Sequence, residues 1–203
     1  MTKAGAKPPG RKPRADAERN RLRLLETAKA AFAEKGSDAS LDEIARSAGV
    51  GPGTLYRHFP NRDALVLAVY QNELEHLLAA AERLAAAHPP ITALREWLLL
   101  FVDYLAAKQG MREVLSSMDG QASEVYASSS LKLKQAVRRL VDGLAEHRPI
   151  RLGLEPLDLL RALAGVANVN AGPNGQQAAR AMVDLLIVGI DASDRPMRED
   201  DQR

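Results

Sequence analysis

The stretch that leaves this chain the fewest options runs from Ser40 to Leu65, SLDEIARSAGVGPGTLYRHFPNRDAL. Ser40 followed by Glu43 is a capping box, each side chain placed to satisfy a backbone N–H of the other. Leu41, Ile44, Ala45 and Ala48 fall on one face at helical spacing. Gly49 stops this short helix, because glycine tolerates the left-handed conformation that helix ends use. Pro52 suits the first turn of a second helix, where its missing N–H is no loss. Leu55 and Phe59 (i, i+4) face inward on that helix, which leaves Thr54, Tyr56, Arg57 and His58 outside. Pro60 ends it and Asn61 caps the next. Two short helices joined by a glycine turn, the second with a polar outer face, make a helix-turn-helix.

The remainder reads as helix throughout, giving an all-α protein of about nine helices. The first should run from 16 to 35, with Leu22, Leu25, Ala28 and Phe32 as its buried stripe. A long helix from 61 to 87, roughly 40 Å at ~1.5 Å per residue, would link the head to the body. Further helices are expected over 91–109, 111–118, 123–146, 155–170 and 176–191, with loops at 149–154 and 172–175. There is no β-alternation of any length and no internal repeat. The 203 residues contain no cysteine, which removes disulfides, thiolate metal sites and cysteine nucleophiles. The four histidines show no metal-ligand spacing such as H-x₃-H. No phosphate loop or nucleophile elbow appears. The longest apolar run, residues 97–102, is far short of the ~20 needed to span a bilayer, and no signal peptide is visible, so a cytoplasmic protein is expected.

Net charge is only +2, but it is unevenly spread. Residues 1–60 hold 12 Lys/Arg against 7 Asp/Glu, and residues 1–23 hold 8 against 2. A positive end on a mildly acidic body suggests that this end meets a polyanion. Residues 1–15 are rich in Pro, Gly and Lys and should be a disordered arm when free. Arg11, Lys12 and Arg14 would order against phosphates or in the minor groove. Residues 192–203 read as a frayed, charged tail.

The run AGVGPGTLYRHFPNRDAL resembles the DNA-reading segment of the tetracycline-repressor-like (TetR) family of bacterial transcription regulators. The preceding AKAAFAEKG resembles the end of that family's first helix. The likeness covers roughly residues 19–78 and is specific, because its motifs lie in register. It implies a three-helix DNA-binding head over 16–78 and a ligand-binding and dimerisation body over 79–191. It also implies that Thr54, Tyr56 and His58 lie at the DNA surface, with His58 and Arg62 as phosphate contacts. Arg57 reaches either a base edge or a phosphate. Ser40 leaves the N–H groups of a helix N-terminus aimed at a phosphate. Gly51 and Gly53 stand where many relatives carry larger polar residues; Gly53 belongs to the same DNA-facing set, and the departure shifts base reading toward Thr54, Arg57 and the arm. The body more weakly resembles those of one actinobacterial-type subgroup.

The resemblance implies a homodimer through the last two helices, about 155–191, as a four-helix bundle across two chains. Leu157, Leu160, Leu163, Ala164, Val166 and Ala167 would line one, and Ala178, Ala181, Met182, Leu185, Leu186, Val188 and Gly189 the other. Trp97, Phe101, Tyr104, Met111, Met118 and Tyr126 are candidate walls of an effector cavity, with Asn168 and Asn170 as polar anchors. No cofactor or metal is expected. The function expected is a repressor released from palindromic double-stranded DNA by an unknown small molecule. A small all-α enzyme and a helical interaction module are the alternatives.

Overall fold

The computed structural model describes residues 12–117, 121–147, 155–169 and 172–192. These hold nine α-helices, one short 3-10 turn and no strand. The order is α1 (Lys12–Lys35), the 3-10 turn (Gly36–Asp38), α2 (Leu41–Ser47), α3 (Pro52–His58), α4 (Arg62–Ala87), α5 (Pro90–Gly110), α6 (Arg112–Ser117), α7 (Gln121–His147), α8 (Pro156–Val169) and α9 (Pro173–Ala192).

Two helices start three or more residues earlier than expected, for the same reason. α1 begins at Lys12, so residues 12–15 belong to the helix and not to the arm. α9 begins at Pro173, three residues early. In both cases proline sits in the first turn, where no N–H partner is required. Gly172, at φ +94°, makes the turn into α9, and the Gln176 N–H closes on its carbonyl at 3.2 Å. Arg11, the rest of the arm, the 149–154 loop and the C-terminal tail after Ala192 lie outside the described residues.

The head is α1, α2 and α3. The buried stripe of α1 is Leu24, Leu25, Ala28 and Phe32, whereas Leu22 is 43 % exposed. At 100° per residue the stripe's axis passes through position 21 rather than 22. Ile44 and Ala45 of α2, Ala48 just after it, Leu55 of α3 and Phe59 beyond it close on that stripe to form one core. Helices of seven residues are too short to persist alone, so their stability comes from this packing.

α5 is the centre of the body and packs against α1, α4, α7, α8 and α9. It buries Ala93, Leu94, Trp97, Leu98, Phe101, Val102, Tyr104 and Ala107, a band too wide for a helix with one solvent face. The Trp97 indole N–H donates to the Leu77 carbonyl of α4 at 2.9 Å, so its one polar atom is satisfied. Asp103 of α5 accepts from Arg180 and Gln176 of α9, and Arg95 pairs with Asp184 at 2.7 Å.

The last residue of α5, Gly110, lies against the backbone of α1. A Cβ built there would stand 2.6 Å from the Phe32 carbonyl oxygen and 3.0 Å from the Ala33 Cα. Only glycine allows that approach, and it joins head to body through main chain. Gly110→Ala should therefore lower the unfolding free energy by about 1–3 kcal/mol, as overpacking does. Urea denaturation measures this, and an unchanged midpoint would show that the two helices separate freely.

Candidate nucleic-acid interface and body cavity

At the start of α2 the Glu43 N–H donates to the Ser40 hydroxyl at 3.4 Å. The return half of the expected capping box is absent. The Glu43 carboxylate instead accepts from the Lys35 ammonium at 2.9 Å, an opposite charge that outcompetes a neutral N–H. Each partner favours the charged form of the other: the Lys35 pKa rises and that of Glu43 falls. The turn after α2 is closed by Gly49 at φ +67° and by the Val50 N–H on the Ala45 carbonyl at 3.0 Å.

α3 is anchored from beneath. Leu55 is fully buried and Phe59 is 3 % exposed. The Arg21 guanidinium of α1 sits 5.9 Å over the Phe59 ring, a cation–π contact. The other side of α3 is bare: Gly51, Pro52, Gly53, Tyr56 and Arg57 are exposed, and Thr54 and His58 are half-buried. Tyr56 is 46 % exposed. The Arg57 Nε donates to the Gly53 carbonyl at 3.0 Å, which lays its side chain along the helix. A Cβ at Gly51 or Gly53 would meet nothing within 4 Å, so both positions are open surface.

Arg62 departs from the phosphate contact expected of it. It is turned inward, donates to the Ala39 carbonyl and lies 5.9 Å over the Phe32 ring. Its second terminal nitrogen is buried without a hydrogen-bond partner. Arg62 thus pins the start of α4 to the connection between α1 and α2. Two cations that the sequence reading did not single out stand nearer the turn. Arg21 touches Phe59 as above, and the Arg23 guanidinium comes within 3.8 Å of where a side chain at Gly49 would begin. The signal was the excess of Lys and Arg over residues 1–23, which was read as a positive end with only Arg11, Lys12 and Arg14 named in it. Lys12 and Arg14 lie in the first turn of α1, but their side chains are outside the described ones.

In the body the expected effector walls form a packed core. Trp97, Phe101 and Tyr104 ladder along α5 with centroid spacings of 6.1 Å. Tyr70 of α4, missed from sequence, joins them: its hydroxyl accepts from Tyr104 at 2.8 Å, and its ring meets Tyr126 edge-on at 5.6 Å. Burial pushes the Tyr104 phenol far up. Met111 is buried as well. Asn168 is exposed, since the inward face of α8 is Leu159, Leu160, Leu163 and Ala167. The Met118 side chain and Asn170 lie outside the described residues. Tyr104 borders a cleft of about 390 Å³ beside Glu73 and His76, and another of about 730 Å³ lies between α1, α5 and the start of α9. Glu26, Lys29, Val102, Ala107, Gln109 and Gln176 are among its walls. The side-chain nitrogen of Gln109 is buried there with no hydrogen-bond partner.

Two faces of α8 and α9 carry apolar residues to the surface. Val169 is 80 %, Leu185 64 % and Val188 65 % exposed. Ala162, Gly165, Ala178, Ala181 and Gly189 are exposed beside them. Leu160, Leu163 and Ala167, expected in the subunit interface, are buried in the chain's own core instead.

Residues 24–69 match the family model described as bacterial regulatory proteins, tetR family. Residues 89–192 match that of the SbtR-like transcriptional regulator C-terminal domain. An HTH-type transcriptional regulator of Staphylococcus aureus (strain USA300) is 43 % identical over 63 residues, 30 % of this chain and 34 % of that protein. The chain thus matches about a third of the length of such curated relatives. The crystal structure of a TetR transcriptional regulator from Streptomyces coelicolor is 38 % identical, with a TM-score of 0.75, covering 88 % of this chain and 99 % of that one. A TetR transcription regulatory protein from Mycobacterium vanbaalenii is 30 % identical, with a TM-score of 0.70 over 87 % and 98 %. With one family model across the head, a second across the body and a 38 %-identical structure matched along nearly its whole length, the chain belongs to the TetR family of transcriptional regulators.

Proposed function

We propose that this chain acts in the cytoplasm as a homodimeric repressor that binds a palindromic operator and releases it when a small molecule occupies the body. The observation that carries the reading is the two-sidedness of α3: Leu55 and Phe59 are buried while Tyr56 and Arg57 are exposed. Hydroxyls at Thr54 and Tyr56 suit phosphate oxygens, and the Thr methyl suits a thymine methyl. Gly51 and Gly53 let the backbone of α3 approach a groove closely. Ser40, at the N-terminus of α2, leaves N–H groups for a phosphate.

One head grips few base pairs, so two are needed about 34–36 Å apart on one duplex face. Leu185 and Val188, with small residues around them, offer the apolar strip for a twofold partner. The effector reading rests on the 730 Å³ cleft, which is of drug-binding size and has α1 of the head as one wall.

Gel-shift titration against a palindrome upstream of its own gene tests the reading, and absence of binding there would sink it. Replacing Thr54 and Tyr56 together by alanine should weaken operator binding at least tenfold with thermal unfolding nearly unchanged. Arg62→Gln should do the opposite. It should lower stability by about 1–3 kcal/mol by leaving the Ala39 carbonyl unpaired, and leave the salt slope of binding intact. Leu185→Asp with Val188→Asp should give folded monomers in sedimentation; a surviving dimer would move the interface off α9.

A further inference from the structure

We propose that Glu26, Glu73 and His76 form a site for a divalent transition-metal cation, Zn²⁺ in the first instance, at the joint between α1 and α4. Glu73 and His76 are three residues apart, which sets both on one face of α4. Glu26 comes from the facing helix α1. One ligand atom from each lies within 4.8 Å of the others. Donors around a tetrahedral zinc stand roughly 3.3–3.5 Å apart at its usual bond lengths. The three must therefore close by at most about 1.5 Å, within the reach of side-chain rotations at the two exposed members, Glu26 and His76.

The buried member gives the second reason. Only 10 % of the Glu73 side chain is exposed, and a carboxylate in such a place demands a cation. Lys29 supplies one now, with its ammonium 2.7 Å from Glu73. That ammonium ends a flexible stem, and its side chain is 37 % exposed, so it can swing into water and yield its place. A metal ion would exchange one positive partner of Glu73 for a stronger one. A cleft of about 390 Å³ opens beside Glu73 and His76 and gives water a route to the remaining coordination positions. One imidazole and two carboxylates suit Zn²⁺ and its neighbours, not Ca²⁺ or Mg²⁺, which prefer all-oxygen sites.

An ion held from α1 and α4 together would stitch the head to the linker helix. Its effect on operator affinity would rest on the regulator reading; its binding does not. The test uses the full-length, tag-free chain after chelator treatment, titrated with Zn²⁺ by calorimetry and with Co²⁺ by visible absorption. One saturable site per chain and a Zn²⁺-dependent rise in melting temperature are expected. His76→Gln and Glu26→Gln, both at exposed positions, should weaken Zn²⁺ at least tenfold. Lys29→Gln should melt earlier without metal yet bind Zn²⁺ more tightly, since the competing ammonium is gone. No saturable binding below the millimolar range, equal binding by His76→Gln, or an unchanged affinity in Lys29→Gln would overturn the site. No DNA enters these measurements, so a failure of the regulator reading would leave their outcome untouched.

Discussion

The structure depends on the contact between the end of α5 and the last turn of α1. Gly110 brings α5 backbone within touching distance of Phe32 and Ala33, closer than any side chain permits. α1 is at the same time the floor on which α2 and α3 rest, through Leu24, Leu25, Ala28 and Phe32. α2 and α3 have seven residues each and little helical stability of their own. Their order is therefore borrowed from α1, and the position of α1 is borrowed from the body. Main-chain packing of this kind is stiff, because interiors are close-packed and shift between discrete arrangements instead of deforming smoothly.

The same economy of anchors frees the face of α3. Leu55 and Phe59, one turn apart, hold the helix down. Everything between and before them is left over: two glycines, a proline, Thr54, Tyr56, Arg57 and His58. With Gly51 and Gly53 bare, α3 itself supplies few groups for reading DNA. Arg21 and Arg23 gain weight for that reason. They come from α1, and the structure sets them beside Phe59 and the Gly49 turn. Arg62 shows the reverse case. The resemblance made it a phosphate contact, yet the Ala39 carbonyl and the face of Phe32 hold it inward.

The sequence carried the helix-turn-helix because its signals are local. Ser40, Gly49, Pro52 and Asn61 each act on a backbone group within a few residues, and Ser40 and Asn61 act in the structure as read. The order of the helices was legible for the same reason. Features that depend on neighbours distant in sequence were not. Lys35 took Glu43 from its capping box across eight positions. Tyr70 meets Tyr104 across thirty-four. The aromatics of α5 look alike in sequence whether they line a cavity or fill one, and only the arrival of Tyr70 and Tyr126 decides for filling. Glu73 and His76 were not singled out as a pair, and Glu26 lies on another helix, with no spacing rule to join it to them.

How the body could act on the head follows from magnitudes. A hundredfold change in operator affinity needs a difference of about 2.8 kcal/mol between two states of the protein. A ligand bound equally well by both states supplies none of it. Gln109 lines a cleft walled by α1 and α5, but its side-chain nitrogen is buried behind that wall without a partner, and leaving such a donor unpaired costs about 1–3 kcal/mol. An arrangement of α1 over α5 that brings this nitrogen an acceptor, where the present one does not, would thus differ by enough to move the head. The ion pair of Lys29 and Glu73 adjoins the same cleft, with Lys29 in its wall, so whatever fills that space also meets the charge that holds α1 to α4. Both couplings act on α1 before they reach α3, and α1 is the element that the close approach at Gly110 keeps from moving alone.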